Sequence, residues 1–382
     1  MGGDVTFNLS TVFKAVATAI GDHRFLIWRD RRFSYAQTDA RVDGFAHYLT
    51  SVGLGCHTER DALAGHESGQ DHLGIYLRNG NEYLEAMIGS YRARVAPFNV
   101  SYRYVEEELY YLLSDSNARA LVFNAEFAPR VAAIRDRLPN LEVLIQVDDG
   151  SGQALLPGAV DYESVIATPA PPHGMPTVSG DDLYILYTGG TTGMPKGVLW
   201  RQHDIFLSSM GGRPFGSDQF LTSYQELTER ASAAAGATSI LMVPPFMHGA
   251  AQWAAYNAIT MGGWLAIPDD VERFQPDAAL KLVEREKVLS IPVVGDAIGR
   301  PLIEAIEAGD YDLAALLTIT NGGAPLSPTV RDRILKALPH VMVLDAVGAS
   351  ESGAQMSTLA TTDAEAATFT PQSDTAVVSE DL

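Results

Sequence analysis

Cysteine is almost missing from this sequence: Cys56 is the one thiol in 382 residues. A disulfide framework within the chain is excluded, and a reducing compartment fits. Basic residues are scarce too, 27 Lys and Arg against 47 Asp and Glu, giving a formal net charge of −20. That balance excludes nucleic acid as a partner, because neutralising a polyanion takes local Lys and Arg. A phosphate-bearing ligand must then be held by local groups against an unfavourable overall field. A membrane span needs about 20 continuous apolar residues. The charge-free stretch from Ala231 to Pro268 is broken by Pro244-Pro245, His248-Gly249, Gln252 and Gly262-Gly263. It reads as strand, loop, helix and strand of a soluble core, so no spanning segment is expected. The opening MGGDVTFNLS lacks the basic start and apolar core of a secretory signal, and a cytoplasmic location is expected.

Three chemical signatures are also missing. No GxGxxG follows a strand, which removes the main reason to expect a dinucleotide. Pro195 precedes Lys196 and Gly197 comes after it, so the P-loop pattern fails on both sides. No Gly-x-Ser-x-Gly elbow is formed around Ser350, because the second Gly of Gly348–Gly353 comes too late. Cys56, His57, His66 and His72 lie close in sequence but not at zinc-ligand spacing, and read as a polar surface insertion.

What is present is alternation. Strand-like runs occur at 73–77, 120–123, 143–147, 184–187, 240–243, 264–267, 289–294, 316–320, 341–344 and 375–378. Helical patterns at 249–261, 276–287, 296–308 and 328–338 separate the later ones, the last opening on Ser327-Pro328, an N-cap and a first-turn Pro. Strand and helix in turn imply βαβ units, hence an α/β fold with helix-covered sheets. The Pro- and Gly-rich segment 168–180 suits a connection between subdomains. The expected division is 1–175, 176–358 and the start of a third unit at 359–382.

The strongest local signal is YTGGTTGMPKG, Tyr187 to Gly197. Gly lets backbone N–H groups approach an anion, Thr adds hydroxyl donors, and Lys adds charge. Together they describe a phosphate cradle; an ordinary mobile turn is the plainer alternative.

This loop resembles the phosphate-binding signature of the adenylate-forming superfamily, which includes acyl-CoA synthetases, luciferases and peptide-synthetase adenylation domains. Three further segments match in order: PPFMHG at 244–249, NGGAP at 321–325 and VGASE at 347–351. Phe33 to Leu49 is similar to the family's opening strand and helix. PFNVSYRY at 97–104, GVLWRQHDIF at 197–206 and GDAIGRPL at 295–302 are similar to bacterial synthetases for long-chain or steroid-side-chain acids.

The resemblance implies a multilayer αβαβα arrangement of two sheets and a two-step reaction. A carboxylate attacks the α-phosphate of ATP, pyrophosphate leaves, and the thiol of CoA displaces AMP from the acyl-adenylate. It implies that Thr188, Gly189, Gly190, Thr191, Thr192, Gly193 and Lys196 hold phosphates. Glu351 would bind Mg²⁺ and Ser350 would donate to the α-phosphate, although a Ser-Glu pair after a strand is by itself more often a helix N-cap. Gly322, Gly323 and Ala324 would contact adenine, with Asp345 accepting from its amino group or lying in an exposed turn. Val347 stands beside Gly348 where the family has Tyr, so adenine loses a stacking ring there. His248 would sit at the carboxylate end of an acyl pocket with Gly249 and Gly322, with Trp200 and Phe246 gating or lining it or simply being core, and the small Gly249, Ala250 and Ala251 leaving room for a bulky acyl group. A lone His in an apolar run is otherwise more often a core residue.

The family continues beyond such a segment into a small carboxy-terminal lid, which is expected to be absent here, with turnover impaired. A non-catalytic nucleotide- or acyl-binding remnant, an adenylating enzyme that loads a carrier protein, and a homodimeric assembly all remain compatible with the residues.

Overall fold

The computed structural model describes residues 5–189, 193–214, 217–361, 368–372 and 375. Among these residues two sheets form. The nine-stranded sheet runs Thr370–Pro371 (β16), Gly353–Ala360 (β15), Met342–Ala349 (β14), Thr318–Asn321 (β13), Ser290–Val293 (β12), Ser239–Leu241 (β10), Trp264–Ile267 (β11), Arg24–Trp28 (β1) and Arg31–Ser34 (β2). The seven-stranded sheet runs Ala159–Asp161 (β7), Val143–Val147 (β6), Ala118–Asn124 (β5), His72–Tyr76 (β3), Ala96–Asn99 (β4), Leu183–Thr188 (β8) and Lys196–Arg201 (β9). Both are parallel through the middle; antiparallel hairpins end them, β1–β2 and β14–β15–β16 in the first, β8–β9 in the second. Parallel strands such as Trp264–Ile267 are apolar and buried on both faces because helices cover both sides of a parallel sheet. The α/β reading therefore holds.

Three apolar clusters define five layers. The largest, with Phe13, Phe45, Leu84, Tyr184, Tyr256 and Leu265, fills the space between the sheets and contains the helices Leu9–Ala19, Tyr35–Ser51, Asn81–Arg92 and Gly249–Thr260. A second lies under the helices Pro276–Glu286, Gly295–Ala308 and Pro328–Ala337 on the outer face of the nine-stranded sheet. A third lies under Glu106–Asp115 and Ala128–Ile134 on the outer face of the seven-stranded sheet. Ser327 caps Pro328–Ala337 as its sequence suggests, its hydroxyl accepting from the Val330 N–H.

The sheets do not divide the chain at residue 175. β1 pairs in parallel with β11, and β4 with β8, so each expected subdomain lends strands to the other's sheet. The physical reason is that the apolar faces of both segments are buried in one shared inter-sheet core. Nor does a new unit open at 359: Leu359 and Ala360 end β15, paired with Leu344 and Val343. Thr370 and Pro371 extend that same sheet by pairing with β15. The strand expected at 375–378 falls largely outside the described residues.

Candidate active site

The phosphate segment is the loop of a hairpin. Thr188 pairs with Lys196 and Tyr187 with Gly197 across β8 and β9. Gly190, Thr191 and Thr192 lie outside the described residues. Gly189 and Gly193 flank them, both exposed and with open space where a side chain would stand. Lys196 is exposed and makes no ion pair with any described residue. Gly197 is required by packing, since the Tyr187 ring lies 3.0 Å from where its Cβ would be. The Tyr187 hydroxyl donates to Asp115 Oδ2 at 2.8 Å, and burial raises this phenol well above its ordinary range.

Two buried asparagines fix the next loop to this strand. Asn99, the last residue of β4, donates from Nδ2 to the Tyr187 carbonyl at 2.8 Å and the Met247 carbonyl at 2.7 Å. Its Oδ1 accepts the Tyr187 N–H at 2.7 Å. Asn79, just past β3, donates to the Pro244 carbonyl at 3.1 Å and accepts the Phe246 N–H at 2.7 Å. The Pro244–Gly249 loop is thus bound to the carboxyl ends of parallel strands, where α/β sheets bind ligands.

His248 ends this loop as N-cap of the helix Gly249–Thr260, with no side-chain cap bond. It is exposed, so the core reading fails. The walls around it still lower its pKa by desolvation, and the Arg103 cation adds to this, keeping the imidazole neutral. Arg103 was not legible as a site residue, because only the fold brings it near His248. Phe246 is fully buried, with its ring 5.4 Å from that of Tyr83. Gly249 is buried, and Leu186 Cδ2 is 2.7 Å from where its Cβ would be, so its smallness brings helix and β8 together.

On the neighbouring sheet, Asn321 organises the NGGAP loop. Its Nδ2 donates to Asp345 Oδ1 at 2.7 Å and to the Ala324 carbonyl at 3.0 Å, and its Oδ1 accepts the Gly295 N–H at 2.7 Å. Asp345 is therefore a buried residue of β14, in register with Asn321, and not an exposed turn acid. Gly322 faces open space, with only the Ala346 carbonyl 3.7 Å from its would-be Cβ. Gly323 has φ +78°, a left-handed conformation that favours Gly beside Ala324. Val347 and Gly348 come next along β14, both exposed.

Ser350 and Glu351 occupy a β-turn between β14 and β15, closed by the pair Ala349 and Gly353. The helix N-cap reading is overturned, because the chain reverses into an antiparallel strand. Trp200 is half-buried, and its indole Nε1–H donates to the Ser350 carbonyl at 2.7 Å. This bond joins β9, which carries Lys196, to the turn that carries Glu351. Glu351 is exposed and has no ion pair or hydrogen bond among the described residues. Among those residues no group of three or more His, Cys, Asp or Glu could hold a metal. A single free carboxylate suits Mg²⁺, which takes most of its ligands from substrate phosphates and water.

Solved structures share this fold. A long-chain-fatty-acid-CoA ligase from Archaeoglobus fulgidus superposes with TM-score 0.73 at 16% identity, over 93% of this chain and 67% of that one. The N-terminal domain of FACL13 from Mycobacterium tuberculosis gives 0.69 at 20% identity, over 91% and 77%. The fold is that of the adenylate-forming large domain. The AMP-binding enzyme profile matches residues 13–380, and the chain belongs to that family. The medium-chain acyl-CoA ligase Mig of Mycobacterium avium is 52% identical over 381 residues, 98% of this chain and 68% of that protein. A medium/long-chain-fatty-acid–CoA/3-oxocholest-4-en-26-oate–CoA ligase of Mycobacterium tuberculosis (strain ATCC 25618 / H37Rv) is 34% identical over 351 residues, 91% of this chain and 61% of that protein. The chain thus spans roughly three fifths to two thirds of these relatives' length. Among the described residues no helix is long and apolar enough to cross a membrane.

Proposed function

We propose that the protein activates a carboxylic acid with ATP, forms an acyl-adenylate with release of pyrophosphate, and passes the acyl group to CoA. The observation that carries this reading is the joining of two hairpins, one bearing Lys196 and the other Ser350 and Glu351, through the Trp200–Ser350 bond. The acid-ligase names of its relatives favour an enzyme over a binding remnant. The same names support a medium-chain, long-chain or steroid-side-chain acid as substrate, and a cytoplasmic setting fits ATP and CoA as co-substrates.

Lys196, with Thr188, Gly190, Thr191 and Thr192, supplies charge and donors for the departing phosphates, and the Ser350 hydroxyl donates at the α-phosphate. Glu351 would hold Mg²⁺, whose charge offsets that of the phosphate oxygens. Catalysis here is positioning and electrostatics, since phosphoryl chemistry needs little else from the protein. Neutral His248 with Arg103 beside it orients the incoming carboxylate, Arg103 supplying the positive charge. Asp345 Oδ2 is left to accept from adenine, because Oδ1 is engaged by Asn321. Binding is the first test. Calorimetry should detect MgATP, and Lys196→Ala should weaken it by about tenfold or more, as expected for one charge-assisted contact. Pyrophosphate release over a panel of acids is the second test. No ATP binding together with no acid-stimulated release would sink the reading.

A further inference from the structure

We propose that Trp200 is a positioning residue of the nucleotide site: its indole N–H holds the Ser350–Glu351 turn at the distance from Lys196 that a magnesium-bound triphosphate requires. This rests on the function proposed above.

Trp200 and Lys196 are on one strand, β9, four residues apart and so on the same face. β9 is an edge of the seven-stranded sheet, while the Ser350 turn is the tip of a hairpin near the edge of the other sheet. The indole–carbonyl bond is therefore a tie between sheets, across 150 residues of sequence. The turn needs one. The β14–β15 ladder shifts register between Val347 and Gly348, and such an irregularity bends a strand and re-aims the residues past the bend. Beyond it the ladder alone does not fix where the tip points.

The base of the hairpin is held separately. Ser209 Oγ accepts the Ala354 N–H at 2.9 Å, and Gly353, at φ +72°, packs so closely on the helix Gln202–Ser209 that a Cβ would lie 2.0 Å from Ser208 Oγ. Ser209 is in turn anchored through its carbonyl by Asn257 Nδ2 at 2.8 Å. With the base fixed there, Trp200 sets the tip. It does so through the backbone carbonyl, which leaves the Ser350 hydroxyl and the Glu351 carboxylate free for ligand.

The test separates the magnesium-dependent part of ATP affinity from the rest. ATP binding is measured by calorimetry with and without Mg²⁺ for the wild type, Trp200→Phe and Trp200→His, with thermal midpoints recorded. Trp200→Phe keeps a ring and loses the donor. The gain in affinity on adding Mg²⁺ should fall about tenfold, as for one lost hydrogen bond, while magnesium-free binding stays within about twofold. Trp200→His keeps a ring N–H and should recover part of the gain. Gly353→Ala displaces the same turn from its base and should give the same selective loss, independently of whether Trp200 variants fold. An unchanged magnesium gain in Trp200→Phe overturns the proposal alone, and so does an equal fall in both conditions. A wild type that binds no ATP in either condition overturns it together with the site reading.

Discussion

Asn99 makes three hydrogen bonds in a place nearly closed to water, two to Tyr187 and one to Met247. Its side chain does for the phosphate strand and the His248 loop what a shared ladder would do, and neither can move alone. Asn99→Leu should leave two carbonyls and one N–H unpaired, at a cost of about 2–4 kcal/mol, and urea unfolding would measure it. An unchanged midpoint would mean that the bracket is not structural. Nothing in the segment Pro97–Tyr104 signals this role, because the partners are 88 and 148 residues away. His72 shows a second residue-scale effect. Burial lowers its pKa from the ordinary 6.5, against weaker opposing pulls from the Ser116 carbonyl and Asp71. The unfolded chain then binds the extra proton more readily, so this contribution is full above about pH 6.5 and lost as pH falls through the folded value. His248 has the same sign, by desolvation and then Arg103. Replacing His72 by Gln should flatten the loss of stability between pH 7 and 5; an unchanged slope would remove His72 from that window.

At the scale of elements, the strands whose bounds could be read most closely from the sequence are buried over most of their length. Val143–Val147 and Trp264–Ile267 are short apolar runs with clear ends, and the observed bounds coincide with the expected ones. β9 and β15 were not legible, since Lys196–Arg201 and Gly353–Ala360 mix exposed and half-buried positions without a clean two-residue period. Those two hairpin strands are also what turns four motifs into one site. The motifs name the residues; the pairing of β14 with β15 sets their arrangement, and it removes the N-cap reading of Ser350. Helix contacts make their own demands. Gly44, within Tyr35–Ser51, would place a Cβ 1.8 Å from the Ile166 carbonyl oxygen, which is backbone and cannot rotate away. Gly44→Ala should therefore push apart the helices Tyr35–Ser51 and Tyr162–Ile166 and cost about 1–3 kcal/mol, visible as a lower thermal midpoint. A midpoint equal to that of the wild type would show that the helix can shift freely.

For the whole molecule, the exchange of strands between sheets decides how it unfolds. Residues 168–180 look like a linker, yet the chain on either side contributes to both sheets and to the one core between them. Cutting at 175 would remove β8 and β9 from the sheet of β3–β7 and take β1 and β2 from the sheet of β10–β15. Each half would expose apolar surface such as Phe25 and Leu26 on one side, or Tyr184 and Leu265 on the other, that only the other half covers. Two independent domains would unfold in two steps and survive separation. A shared core predicts one cooperative transition, with tryptophan fluorescence and far-ultraviolet circular dichroism changing together in urea. It also predicts that 1–175 and 176–382 expressed apart are each unfolded or aggregated. Co-expression should restore ATP binding in part, because the hairpin with Lys196 and the brackets from Asn79 and Asn99 come from different halves. Two separated transitions, or a folded 1–175 fragment with a sharp melting curve, would show instead that the linker-like segment divides the molecule after all.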